Sequence, residues 1–318
     1  MRVMSSFDIT KARLAHLDWV FRTNRILDQG LSPVQDFSSS HRGCELGVWL
    51  HGEARRKYGR SDQIRQLAME HRRFHQAVDE MLQALQRGDI DKTREMLINV
   101  SHMSKDIIYL LTLLELKSLE RQRQGQGVLG VLSFIEDFFV PNTNWLEPPK
   151  KRGSNPAVEL TYARLEHLRW SSKIDHSFRN FGQGAKLRTH NQCEFGIWIQ
   201  GEGLQRYGGM PEIHILEGVH KSFHAAANQV IKSLQERRYR QADEAYVDIQ
   251  NLSREIAWLL TVIEYRLVYP VTSTTPCAVA REEGEEEVSS DGSAVVISPI
   301  NHAPVAGRSA FHALESRQ

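Results

Sequence analysis

The sequence is short of several things, and each shortage removes a class of protein. It has three cysteines in 318 residues, too few for a disulfide framework. Its longest apolar stretch, GVLGVLSFIEDFFV at 127–140, carries Glu136 and Asp137 and falls short of the roughly 20 residues that span a bilayer. It has no excess of one charge: the formal net charge is +1, which gives no electrostatic case for nucleic-acid binding. The opening MRVMSSFDITKARLAHLDW has scattered charges and no apolar core of a signal peptide. Alternation of apolar and polar residues over strand lengths is missing as well. These shortages point to a cytoplasmic, reduced protein with no membrane span and no nucleic-acid partner. What remains is ordinary for a globular chain: 41% hydrophobic and 25% charged residues.

What is there is there twice. CELGVW at 44–49 returns as CEFGIW at 193–198, and the match extends in both directions. ARLAHLDW (12–19) answers ARLEHLRW (163–170), EHRRFHQAVDE (70–80) answers VHKSFHAAANQ (219–229), and SKDIIYLLTLLE (104–115) answers SREIAWLLTVIE (253–264). The offset is 149 from Cys44 onward and 151 upstream, so one loop differs by two residues. A rigid register with one variable loop is the mark of a repeated domain. The repeats are read as 6–120 and 157–269, with a linker at 121–156 that holds one short apolar helix. The tail, 270–318, has an acidic run, few aromatics and many small residues, and its composition predicts disorder.

Within each repeat the period is helical. Leu14, Leu17, Val20 and Phe21 share one face, as do Ile64, Leu67, Phe74, Val78, Met81 and Leu85 in a third segment that stops before RGD. A fourth segment runs from Asp91 to about Glu120, and its IIYLLTLLELKSL is dense enough to be buried on most sides. The expected fold is all-α: two tandem antiparallel four-helix bundles.

The chemistry-bearing residues recur at matched positions. His71 and His75 are four apart and so share a helix face, and His220 and His224 repeat the pair. His16 and His167 lie on the first helix, three residues before Trp19 and Trp170; Cys44 and Cys193 lie on the second. Three helices of a bundle can bring one such set around a point. Three imidazoles and one thiolate make a tetrahedral zinc site, with bonds of roughly 2.0–2.1 Å to nitrogen and roughly 2.3 Å to sulfur. Gly47 and Gly196 would let a neighbouring helix approach, and Trp19, Trp49, Trp170 and Trp198 would shield the site. A polar core histidine is the competing reading for any single pair. Six of the 14 histidines, however, fall in matched positions, while His41, His51, His102, His176, His190 and His214 are read as unmatched. Glu45 and Glu194 could hold a ligand histidine, but the favoured reading is a solvated acid of a helix face. Cys277, in the tail, is assigned no role.

This pattern, His-x-x-Trp, then Cys-Glu-Leu-Gly-Val-Trp, then His-x-x-x-His, resembles the chemoreceptor zinc-binding (CZB) domain over most of 6–269. One residue, Glu45 or Glu194, stands between the cysteine and the apolar position of the family pattern. The resemblance implies a four-helix bundle with one zinc per repeat, two per chain. The ligands would be His16, Cys44, His71 and His75, and His167, Cys193, His220 and His224. Members occur in bacterial cytoplasmic chemoreceptors and diguanylate cyclases, where the domain senses zinc or responds to hypochlorous acid through the ligand cysteine and often dimerises. Here no methyl-accepting hairpin and no cyclase-like segment accompanies it.

The expected function is therefore regulatory and not enzymatic. Zinc occupancy, or oxidation of the zinc-bound cysteine, would alter interaction with a partner protein of a chemoreceptor or diguanylate cyclase system. The two repeats could pack as an internal pseudo-dimer. Zinc buffering or transfer is the alternative. A metalloenzyme fits less well: four good ligands close a zinc site, and the Glu70 that precedes His71 becomes Val219 in the second copy. A di-iron centre would need core carboxylates with Glu-x-x-His motifs, an arrangement that Glu45/Glu194, Glu53/Glu202 and Glu115/Glu264 lack.

Overall fold

The computed structural model describes residues 7–29, 40–58, 61–124, 156–179 and 187–269. Most of the linker, with its expected short helix, and the whole tail, with Cys277, lie outside the described residues. Among the described residues every regular element is a helix. The first repeat comprises α1 (Phe7–Gln29), a composite α2, α3 (Asp62–Gln86) and α4 (Ile90–Gln124). The second comprises α5 (Pro156–Arg179), a composite α6, α7 (Pro211–Gln235) and α8 (Tyr239–Val268). The composite α2 is an α turn (Glu45–Trp49), a π turn (Leu50–Ala54) and a further α turn (Arg55–Tyr58); α6 repeats it as Glu194–Trp198, Ile199–Gly203 and Leu204–Tyr207.

The helix boundaries have local causes. Pro211 opens α7 in the first turn, where a missing N–H leaves no hydrogen bond unmade. Helix α3 ends where Gly88 adopts φ 73°, and the Asp89 amide turns back to the Ala84 carbonyl at 3.0 Å. Arg237 makes the same left-handed turn in the second copy, at φ 56°. The predicted faces point inward: Leu14, Leu17, Val20, Ile64, Leu67, Phe74, Val78 and Met81 are all buried. Leu85 and Phe21 are half-buried, and the Phe21 ring lies 5.0 Å from Tyr265 of the other repeat.

That contact belongs to a broad junction between the repeats. In each repeat α1 or α5 and α3 or α7 pack on the long fourth helix, and α4 and α8 then pack on each other. Helix α1 also touches α8, and α4 touches α5. The apolar run of α4 has little polar face because α4 packs both within its own repeat and against α5 and α8 of the other: Ile107, Ile108, Leu110, Leu111 and Leu114 are all buried. Leu116 packs with Leu165 and Leu168 of α5.

Four charges are sealed into the junction. Arg13 Nη1 lies 2.8 Å from Glu115 Oε2, Arg13 Nη2 lies 3.5 Å from Glu264 Oε2, and Arg164 pairs with Glu264. Arg13 matches Arg164, and Glu115 matches Glu264, so the cluster has the symmetry of the repeat. Burial alone would lower the Arg13 pKa, but Glu115 and Glu264 outweigh it and raise it. The arrangement is incompletely bonded, because Glu115 Oε1, Glu264 Oε1 and Arg164 Nη1 are buried without a hydrogen-bond partner. It also accounts for Glu115 and Glu264, which pair with guanidinium groups.

Candidate metal centres

Each centre begins at the start of a composite helix. Cys44 is its N-cap, with extended backbone (φ −70°, ψ 159°), and its Sγ accepts the Gly47 amide at 3.3 Å. Cys193 does the same with Gly196 at 3.2 Å. The cysteines therefore stand just before the second helix and not within it, where free amides favour negative charge on sulfur. The glycines are needed for a different neighbour from the expected helix. A Cβ on Gly47 would lie 2.0 Å from the His41 carbonyl oxygen, and one on Gly196 would lie 1.6 Å from that of His190. The loop that delivers the cysteine folds tightly against its own helix, and only glycine leaves room for it.

The third helix of each repeat meets that sulfur. His71 Nε2 is 3.2 Å from Cys44 Sγ, and His220 Nε2 is 3.3 Å from Cys193 Sγ. The i, i+4 partners stack edge to face, with ring centroids 4.8 Å apart for His71 and His75 and 4.7 Å for His220 and His224. One ligand atom from each of Cys44, His71 and His75 lies within 4.8 Å of the others, and Cys193, His220 and His224 form the same group.

His16 and His167 line the same cavities but stand outside these triads. His16 Nε2 is hydrogen-bonded to Ser104 Oγ at 2.9 Å, and His167 Nε2 to Ser253 Oγ at 2.9 Å. The nitrogen left to each for a metal is Nδ1. A hydrogen bond on the far nitrogen is how ligand histidines are oriented, and the two serines were not singled out in the sequence. The signal was present, since SKD and SRE open matched segments.

The shields are divided. Trp19 lies 5.2 Å from the His75 ring and Trp170 4.2 Å from the His224 ring. Trp49 and Trp198 line neither cavity; Trp198 instead stacks on Phe195 at 5.9 Å. Glu45 and Glu194 are exposed, and Glu194 pairs with Arg188 at 2.6 Å. His41 and His190 need correcting as well. Read at the upstream offset they are unmatched, yet both stand three residues before the cysteine and their carbonyls play the same part.

Burial, more than any other influence, sets the protonation of the donors. It pushes His71 and His220 down to about 3 and His75 and His224 to about 4. His16 and His167 lie well below their ordinary value. Neutral imidazole is the form that binds metal. Burial pushes both thiols up, against the amides of Gly47 and Gly196, so ligation must release the thiol proton.

These donors suit zinc. Tetrahedral bonds of usual length would hold sulfur and nitrogen about 3.6 Å apart, close to the 3.2 and 3.3 Å seen. His224 Nδ1 hydrogen-bonds the Arg188 carbonyl at 3.1 Å, while its Nε2 is buried without a partner. A buried ring nitrogen left bare beside a thiol and a second imidazole is what a metal would satisfy.

Comparison with known families agrees. The model of the chemoreceptor zinc-binding domain, CZB, matches residues 16–82 and again residues 167–231. Each match opens on the first-helix histidine and runs past the histidine pair. Neither the curated proteins nor the solved structures provide a match. CZB domains are regulatory zinc-binding domains of chemoreceptor-type signalling, and the Cys-His-His triads fit that chemistry. Among the described residues no helix is long and apolar enough to cross a membrane. With each match spanning one of the paired triads, the chain carries two tandem matches to the chemoreceptor zinc-binding domain, one in each repeat.

Proposed function

We propose that each repeat, 6–120 and 157–269, holds one zinc ion through three histidines and one cysteine. The sets are His16, Cys44, His71 and His75, and His167, Cys193, His220 and His224. The observation that carries this is the duplicated triad, with His224 Nε2 buried and unpartnered within it. Zinc ties the first three helices of a repeat together, and its loss leaves buried polar groups unpaired at that end of the bundle.

The protein is then a bacterial cytoplasmic regulator without catalysis. Zinc level is one input. The other is a hypochlorous acid-type oxidant: the cysteine sulfur gives up two electrons, takes the oxygen to become sulfenic acid, and chloride leaves. Either input changes the surface offered to a partner protein of a chemotaxis or cyclic-di-GMP system. The CZB matches and the donor set support this reading.

Elemental analysis of the purified chain tests the sites. Two zinc per chain are expected, falling to one in Cys44→Ser and one in Cys193→Ser. A folded, helical chain with no zinc overturns the assignment. A second reading has its own observation: His16 and His167 stand outside the triads, which suits three donors and a water. Zinc affinity unchanged in His16→Ala and His167→Ala would favour it.

A further inference from the structure

One matched stretch begins at the sites and reaches beyond them. It is Ser104-Lys105-Asp106 on α4 and Ser253-Arg254-Glu255 on α8, equivalent at the 149-residue offset. Each serine holds the first-helix histidine of its own repeat at 2.9 Å. The next two residues reach the other repeat. Lys105 pairs with Glu255, and Arg254 Nε stands 2.5 Å from Asp106 Oδ1. Each segment thus gives its base to the other's acid. The Arg254 Nε–H makes no aligned hydrogen bond, so that contact is an ion pair. Lys105 and Glu255 are each 21% exposed, which limits screening by solvent. Tyr109, one turn beyond Lys105, lies under the Arg254 guanidinium at 5.7 Å from its ring centre. Its hydroxyl is buried with Ser253 and Ser171 of the second repeat beside it.

Three side-chain contacts, His16 to Ser104, Lys105 to Glu255 and Ser253 to His167, are therefore joined by one or two residues of helix backbone on α4 and on α8. We propose that Ser104 and Ser253 are positioning residues for the two metal sites, and that the crossed ion pairs couple them, so that zinc in one site tightens the other. This rests on the zinc reading above. A metal that fixes His16 fixes Ser104 and the turn of α4 that carries Lys105 and Asp106. Their partners on α8 are then held in place, and Ser253 is presented to His167 already ordered. The second ion finds less left to order, which is positive coupling without any large change of shape.

The test measures zinc affinity on the full chain by competition with a chromophoric chelator. In the wild type the second zinc is expected to bind about 5- to 150-fold more tightly than independent sites allow. Cys193→Ser should weaken zinc at the first site by the same factor, although Cys193 belongs to the other repeat. Lys105→Glu should leave two zinc bound and remove the coupling, and Lys105→Glu with Glu255→Lys should restore it. A purely structural role for these residues would shift Tm and leave the coupling factor unchanged, which overturns the proposal. Independent binding in the wild type overturns it too, while two bound zinc still uphold the sites. No zinc in the folded wild type overturns both.

Discussion

Arg13 of the first helix and Glu264 of the last lie 3.5 Å apart, with no side-chain exposure for one and 2% for the other. The two ends of the described fold thus meet in a buried charge cluster. Removing one member leaves its partners charged and unpaired. Arg13→Met should destabilise the chain by about 3–5 kcal/mol, read from urea midpoints. Replacing Arg13, Arg164, Glu115 and Glu264 together by apolar residues of similar volume should be neutral or stabilising by about 1–4 kcal/mol. A small loss for the single variant would show that the cluster is hydrated.

Gly196→Ala places a methyl group 1.6 Å from the His190 carbonyl, and Gly47→Ala places one 2.0 Å from that of His41. The cysteine loop must shift to admit it. Each substitution should cost about 1–3 kcal/mol and release zinc from its own site only. Gly201→Ala is the control, since a Cβ there meets nothing within 4 Å; it should keep both metals. The readouts are zinc per chain and Tm.

Acid should weaken the metal-free chain well before its carboxylates titrate. An unfolded imidazole takes its proton near 6.5. In the fold, burial holds His71 and His220 to about 3 and His75 and His224 to about 4. Between those values the unfolded state binds more protons, so stability falls as pH drops from about 6.5 toward 4 and is greatest above that window. Urea midpoints of the chelator-treated chain should fall steadily from pH 7 to pH 5. A flat profile would mean that the four rings are exposed in the metal-free state.

Much of this was legible before any coordinates. The helical period and the constant offset lead directly to paired helical units, and RGD marks the end of α3 at Gly88. Its equivalent, Arg237, carries no such mark, because an arginine forced to positive φ is a consequence of the turn and not a signal for it. The His-x-x-x-His pairs and the cysteines come together because they lie on one helix face and at one helix start. What was not legible depends on the third dimension. Which backbone presses on Gly47 is set by how the preceding loop doubles back. That Trp198 stacks on Phe195 is likewise a fact of packing that the hexapeptide does not announce. Ser104 and Ser253, each followed by two charged residues, carry no sign of a role until the histidines appear opposite them. The apolar excess of α4 was visible, and so was packing of one repeat on the other, but not that α4 itself would carry that contact.

The capping sulfur has one more consequence. Cys44 Sγ holds the Gly47 amide and Cys193 Sγ the Gly196 amide, each with the same atom that the proposed metal site would use. Any reagent that consumes that sulfur removes a helix cap and, on the zinc reading proposed above, a metal ligand in one event. A chemical change of a single atom would thereby be read out as fraying of a helix start, a signal written in backbone order, which a partner could sense without ever touching the metal.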